Sequence, residues 1–405
     1  MAQPCRFDDS LPRLVSILAK QLGRAQASAG VILRDATGRL CYLTEDSFEV
    51  EVLQAVSDAA FASLGAYART DGVIRAGRKI APEILADIVA LALDLDDATN
   101  CELTVRYVDR RIVGTDWLQR PTPLRENSPA RVPRPVRVVF SSMKGGVGRS
   151  TALTVVAAEE ARKGRNVLVV DLDLEAPGVG SLLLDEERMP AFGVIDYLVE
   201  RNLGPVAGDL LRDLVGTSAL TQGHGLVNVV PAVGARTLRS PTNYLAKLSR
   251  AMLETIEADS PTSLALKLRE LVSALEDQRQ YDLVLLDARA GLAEIAAGPM
   301  LALGAEVLIF GTAQRQTLQD LSFLFAHLAS LVPEAGPSPW NRLKMVHAKA
   351  AQAAEIDRFR GELWEIFSEY LYVETIGLEE FNFDVASPEA PHFPILIPLD
   401  LAFVD

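Results

Sequence analysis

The sequence predicts an α/β protein: a doubly wound, mostly parallel sheet preceded by a small mixed α/β unit. Three observations carry that expectation. Beyond residue 135, seven short runs rich in Val, Leu and Ile recur: "VRVVFSS", "NVLVVDLD", "GLVNVVPAV", "YDLVLLDA", "EVLIFGT", "LKMVHAK" and "PILIPL". Their apolarity is continuous rather than alternating, which marks strands buried on both faces of a parallel sheet. Stretches of helical periodicity separate several of them, as right-handed strand–helix–strand crossovers require. Finally, a glycine-rich segment, "MKGGVG", joins the first run to a helical stretch. The carboxyl ends of such strands are where a doubly wound sheet takes its ligand.

At 405 residues the chain is long enough for two domains. The boundary is marked by "RPTPLRENSPARVPRPVR", Arg120 to Arg137, which holds five prolines and no apolar period. Proline fixes φ and removes a donor, so residues 120–135 read as an extended linker. Its arginines leave open a contact with an acidic partner. Residues 1–119 then form the N-terminal α/β domain and residues 136–405 the main one.

In the first domain "LPRLVSILAKQL" has helical spacing, and "AGVILRDATGRLCYL" reads as two strands around an Asp-Ala-Thr-Gly turn. "EVLQAVSDAAFASLGAY" and "PEILADIVALALDL" read as helices, and "CELTVRYVDRRIVGTDWL" as a closing strand or hairpin. No catalytic constellation is visible there; Asp109, Arg110 and Arg111 read as a charged turn. In the second domain "TALTVVAAEEARKG" is a helix with Gly164 at its carboxyl end. Between Leu184 and Tyr281 lies a long insert whose "NYLAKLSRAMLETIEA" and "TSLALKLRELVSALEDQ" are amphipathic helices expected to pack on the sheet.

Composition narrows the function. Forty basic and fifty-four acidic residues leave a net charge of −14, the wrong sign for a surface that tracks nucleic-acid phosphates. Cys5, Cys41 and Cys101 lie far apart without a CxxC pair, so neither a disulfide framework nor a zinc site is expected, which fits a reducing cytoplasm. The N-terminus "MAQPCRFDDSLPRL" has no signal-peptide pattern. The most apolar window, "GLAEIAAGPMLALGAEVLIFG", is broken by Glu294 and Glu306, so no membrane span is expected.

The glycine-rich segment carries the chemistry. Gly145, Gly146 and Gly148 permit positive φ and close backbone approach. Successive amides from Lys144 through Val147 to Ser150 can then face one concavity at the positive end of the following helix, a polyphosphate cradle. Ser150 stands where a hydroxyl holds Mg²⁺, and Thr151 can add a phosphate contact.

"KGGVGRST" resembles the deviant Walker A loop of the ParA/MinD group of P-loop ATPases, whose pattern is KGGxGK[ST]. It is closer still to a bacterial subgroup with Arg in place of the second lysine, the KGGVGR variant. The resemblance runs from Val136 to about Asp405 and does not include residues 1–119. It implies ATP and Mg²⁺ as ligands and a homodimer formed on ATP, with Lys144 reaching the partner's nucleotide. "NVLVVDLDLEAPG" is similar to the second strand and switch I. The family then implies that Asp173 orients the attacking water and that Asp171 lies closer to the metal. Relatives usually have Pro-Gln where this chain has Leu-Glu-Ala-Pro-Gly, so Glu175 is either a site residue or part of a turn. "YDLVLLDARAGL" is similar to Walker B and switch II, which makes Asp287 an acceptor for metal-bound water. Arg289 either contacts the γ-phosphate or pairs with an acid such as Asp173. "FPILIPLDLAFVD" is similar to the purine-side segment, with Pro398 and Asp400 as contacts. His347 is a further purine-side candidate or a structural histidine. Relatives usually continue with another helix, which leaves open whether the chain is truncated at Asp405.

Arg149 is the departure that matters. Arginine keeps the charge of the loop lysine but is planar, larger and suited to bidentate contacts. Nucleotide binding should survive on backbone amides, whereas turnover depends on finely placed charge. The leading expectation is a cytoplasmic ATPase switch in which Lys144, Asp173 and Arg149 carry catalysis and residues 1–119 dock a partner or effector. Family association adds a setting in bacterial conflict or signalling. The alternatives are a nucleotide-bound scaffold with little hydrolysis and a ParA-like partition ATPase. The acidic balance opposes the latter. A MinD-like membrane role is opposed by the absence of a basic amphipathic helix in "PILIPLDLAFVD".

Overall fold

The computed structural model describes residues 5–77, 81–90, 92–95, 103–110, 114–124, 134–220, 225–257, 260–332, 338–372 and 381–400. Cys101, Arg111 and linker residues 125–133 lie outside this set. The chain divides into two compact units, Met1–Val113 and Gly114–Asp405.

In the first unit the strands are β1 (Val31–Arg34), β2 (Leu40–Thr44), β3 (Ile74–Ala76), β4 (Leu93–Leu95) and β5 (Val105–Asp109). They form one mixed sheet in the order β3-β2-β1-β5-β4. The β1–β2 turn is the expected one: the Asp35 carboxylate accepts from the amides of Thr37 and Arg39, and Gly38 takes φ 89°. One face of the sheet (Ile32, Leu40, Tyr42) packs on the Phe7–Leu22 and Val50–Leu64 helices. The other face (Val31, Leu33, Cys41, Leu43) packs on Leu85 and Ile88 of the Pro82–Ala90 helix. Burial on both faces explains why β1 and β2 read as unbroken apolar runs. The helix expected through "ALALDL" stops at Ala90. Leu93 and Leu95 instead pair with Tyr107 and Val105, so sheet pairing overrides the local helical period.

The second unit holds β6 (Val136–Ser142), β7 (Asn166–Asp171), β8 (Gly216–Thr217), β9 (Leu226–Val230), β12 (Leu283–Asp287), β13 (Glu306–Gly311), β14 (Leu343–Ala350) and β15 (Ile395–Pro398). A short ribbon of β10 (Thr255–Glu257) and β11 (Ser260–Thr262) stands apart. The main sheet runs β15-β14-β13-β6-β12-β7-β9-β8, and every pairing is parallel except β8 with β9. All seven expected strands are present; the two-residue edge strand β8 is too short to leave a sequence signal.

Helices cover both faces of this sheet. Leu153, Ala157 and Ala161 of the Arg149–Arg162 helix bury on one face with Val167, Val169 and Leu285. The other face takes Leu268, Leu271 and Leu275 of the Leu264–Gln278 helix, with Leu324 and Phe325 of Arg315–Ala329 and Phe359 and Phe367 of Ala353–Tyr370. The insert helix Leu264–Gln278 therefore packs on the sheet as expected, capped by the Ser263 hydroxyl, which accepts from the Leu266 amide. The root of β6 is held by Arg137. Its guanidinium forks onto Glu276 at 2.6 and 2.8 Å and donates to the Leu303 carbonyl at 2.9 Å, all away from water.

Residues 114–119, expected to belong with the N-terminal region, pack within the second unit. Asp116 accepts from the Ala265 amide at 2.9 Å, and the Trp117 indole donates to the Leu292 carbonyl at 3.1 Å. Residues 120–124 are not a free tether either: the Thr122 amide donates to Leu301 and its carbonyl accepts from Arg342, each at 2.7 Å. Proline content marks extended backbone, but not whether that backbone lies against a surface. Among the described residues no helix is long and apolar enough to cross a membrane.

Candidate functional site

The site forms where β6, β12 and β7 end side by side. In register, Asp287 lies opposite Phe140 of β6 on one side and opposite Asp171 of β7 on the other. Adjacent strands lie only about 4.8 Å apart, so two carboxylates are forced together at the carboxyl edge. Both are buried, Asp171 completely. Burial, then the charge of Asp287, pushes the Asp171 pKa up to about 7. Burial also raises Asp287, to about 6, against the lowering pull of the Ser150 hydrogen bond and the Arg149 charge.

From β6 the chain turns through the glycine loop. The Ser142 hydroxyl donates to the Lys144 carbonyl at 2.6 Å, closing the turn. Gly146 (φ 72°) and Gly148 (φ 86°) take left-handed backbone, whereas Gly145 does not. A Cβ at any of the three would meet nothing within 4 Å, so the loop faces open space. Left-handed backbone at Gly148 sets up the Arg149–Arg162 helix, whose first turn places Ser150 against β12. The Ser150 hydroxyl donates to Asp287 Oδ2 at 2.6 Å. Asp287 Oδ1 is buried with no hydrogen-bond partner.

That orphaned oxygen is the strongest local sign of a missing donor, since a buried unpaired acceptor is costly. A magnesium-bound water would supply it, so the residues fit the cation. Among the described residues no group of three or more His, Cys, Asp or Glu side chains could hold a metal. A magnesium ion here would thus be held by Ser150, nucleotide phosphates and water, with Asp171 and Asp287 behind that water.

The segment likened to switch I follows β7. Asp171 accepts from the amides of Asp173 and Gly178 at 3.1 and 3.2 Å, which folds the turn back over the strand end. Asp173 Oδ1 accepts from the Ala176 amide at 3.2 Å, and Oδ2 lies 3.6 Å from Arg149 Nη2. The Tyr244 hydroxyl, from the insert, donates to the Leu174 carbonyl. Switch II follows β12, and its Gly291 amide donates to the Ser142 carbonyl at 2.9 Å.

Arg149 is buried and donates to the Ala288 carbonyl beside Asp173. Arg289 pairs with an acid, Glu175, so that ion pair joins the turns that follow β7 and β12. Lys144 points to Gln314 Oε1 at 3.4 Å.

Beside the loop opens a cleft of about 440 Å³ lined by Val147, Gly148, Thr151 and Val155 on one side and Ile397, Pro398 and Asp400 on the other. The structure thus brings the expected purine-side residues to the phosphate loop. His347 is not among them. It is fully buried with its ring centroid 4.6 Å from that of Phe359 and Nε2 3.3 Å from Glu355, on the opposite sheet face. Burial lowers its pKa, against the pull of Glu355. Strand alternation would send Lys349 to that same face. Instead β14 shifts register between Ala348 and Ala350, and Lys349 takes φ 59°, which re-aims it into the cleft. Among the described residues it alone, glycine aside, has positive φ. No sequence signal marks it, because a lysine in a strand pattern ordinarily reads as solvated.

A strand–glycine loop–helix unit with a hydroxyl and carboxylates at the strand ends defines a P-loop nucleotide site. The AAA domain family matches residues 136–335. The chain is 31% identical over 208 residues to the chromosome-partitioning ATPase Soj of Thermus thermophilus, which takes in 51% of this chain and 66% of the relative. Similar solved structures include a ParA family ATPase from Chlorobium tepidum (16% identity, TM-score 0.41, 66% of this chain and 86% of that one). Another is the septum site-determining protein MinD from Pyrococcus horikoshii, solved with Mg-ADP (22% identity, TM-score 0.33, 47% of this chain and 63% of that one). Over this part the chain resembles P-loop ATPases of the Soj type, and it spans about two thirds of that relative's length.

Proposed function

We propose that the protein is an ATP- and magnesium-dependent switch that pairs with a second copy on binding ATP and controls a protein partner through its N-terminal unit. The observation that carries this reading is the Ser150–Asp287 contact beside the unpaired Asp287 Oδ1, set under a glycine loop that faces open space. Main-chain amides from Lys144 to Thr151, including those of Gly145, Gly146 and Val147, cup the phosphates, and the adjoining cleft with Pro398, Asp400 and Lys349 takes the purine. Magnesium, when bound, would neutralise phosphate charge. Asp173 orients the attacking water, and Lys144 lies near enough to the surface to meet a second subunit's nucleotide. Switch I and switch II meet through Arg289–Glu175 and Arg149–Asp173, so both can respond to the γ-phosphate.

A switch works only if its two nucleotide states differ in affinity for something else. Solution mass should therefore double with ATP and magnesium and stay monomeric with ADP; a monomer in every state sinks the reading. Phosphate release by the parent should exceed that of Asp173→Ala. A scaffold that binds without turnover is the second reading, favoured by Arg149 being engaged with Asp173 instead of facing the loop. Equal phosphate release by parent and Asp173→Ala selects it. The Soj relative raises cargo partition, which the net charge of −14 opposes; salt-sensitive DNA binding that needs ATP would restore it.

A further inference from the structure

Arg149 occupies the place of a phosphate-contacting lysine, yet its surroundings define another task. The side chain is 8% exposed and lies between the two turns that follow β7 and β12. One guanidinium nitrogen, Nη1, donates to the Ala288 carbonyl, directly after Asp287. The other, Nη2, lies 3.6 Å from Asp173 Oδ2. The remaining Asp173 oxygen is taken by the Ala176 amide, so the carboxylate is held from both sides. Nearby, the turns meet through the Leu172 amide, which donates to the Asp287 carbonyl at 2.9 Å. Beyond that, the guanidinium bridges them at the site itself.

The choice of arginine follows from its shape. A lysine ammonium is one compact charge whose donors radiate from a single atom. A planar guanidinium presents separate nitrogens in a rigid fork and can hold a carbonyl with one and a carboxylate with the other. The charge demanded by phosphates has other sources here: the main-chain amides of the loop and Lys144, whose ammonium lies 3.4 Å from Gln314 Oε1.

We infer that Arg149 is a positioning residue: it ties the Asp173 carboxylate to the Ala288 carbonyl, so that switch I and switch II are set as one unit, and it is not the loop's phosphate contact. This rests on the reading of Asp173 as the residue that orients water. Its consequence is a division of labour, with binding left to the backbone and geometry given to the side chain.

The experiment compares the parent chain with Arg149→Lys, Arg149→Met and Asp173→Asn. Calorimetry with a non-hydrolysable ATP analogue and magnesium should show affinity within about threefold of the parent for both Arg149 variants, because the amide cradle is untouched. Hydrogen exchange without nucleotide should quicken at residues 172–178 and 288–292 in both, and elsewhere stay as in the parent, which also shows that the variants fold. Single-turnover phosphate release should fall by about 10- to 100-fold in Arg149→Lys, and the double variant with Asp173→Asn should be no slower than Asp173→Asn alone. A loss of affinity of about 30-fold or more with unchanged exchange in the two turns would make Arg149 a phosphate ligand and overturn the inference. A parent that binds the analogue but releases no phosphate overturns the enzyme reading instead, and the affinity and exchange results then decide for or against Arg149 by themselves.

Discussion

Replacing Asp171 by asparagine tests whether the site stores unfavourable charge in the folded protein. Asp171 is fully buried beside Asp287, and its pKa stands at about 7, whereas an aspartate in an unfolded chain titrates near ~3.9. Between those values the native state keeps a proton that the unfolded state has released. The native state then binds more protons, so stability falls as pH rises through this window. The penalty is absent below about pH 4 and complete above about pH 7. At ~1.36 kcal/mol per pKa unit, this group alone costs the parent about 2 kcal/mol between pH 5.5 and pH 8. A carboxamide in its place cannot ionise, so the stability of Asp171→Asn relative to the parent should rise by that amount over the same interval. The variant also weakens the acceptors for the Asp173 and Gly178 amides, but that cost does not change with pH and cancels in the comparison. The assay is urea unfolding without nucleotide, followed by tryptophan fluorescence. The three tryptophans, Trp117, Trp340 and Trp364, all lie in the Gly114–Asp405 unit, so the signal reports that unit. A free-energy gap between parent and variant that is the same at pH 5.5 and pH 8 refutes the reasoning.

Three further outcomes are expected. Ser150→Ala should abolish the gain in nucleotide affinity that magnesium gives the parent and leave the magnesium-free affinity within about twofold, since the amide cradle is unchanged; calorimetry with and without EDTA checks it. Lys349→Gly should stabilise the unit by about 0.5–1 kcal/mol by relieving its positive φ, while weakening nucleotide binding several-fold, a trade measured by parallel urea and binding titrations. Glu276→Gln should destabilise by about 3–5 kcal/mol, because it leaves the Arg137 guanidinium buried without its counter-charge; a loss under about 1 kcal/mol in urea unfolding would contradict that burial.

How much of this was legible beforehand depends on the range of the interaction concerned. The glycine loop, Ser150 and the following helix occupy consecutive positions, so their geometry is set by local backbone rules that a sequence displays directly. Asp287 and Asp171 were legible for a related reason: each closes a short apolar run, and parallel strands of equal depth bring their ends to one edge. That Pro398 and Asp400 line the cleft beside the loop follows from nothing local, since they lie far downstream of the loop in the chain.

What the sequence by itself determined was the α/β layout, all seven long strands of the main sheet and the phosphate loop, because continuous apolar runs, glycine placement and helix caps are local properties. Only the tertiary structure decided the partners of the charged groups. It gave Arg149 to Asp173 and Ala288, gave Arg289 to Glu175, sent His347 to the face away from the cleft, and turned Lys349 into the cleft through a strained bulge. It also laid residues 114–124 against the second unit. Charges choose partners by distance and burial across the fold, and neither quantity exists until strands far apart in sequence lie side by side.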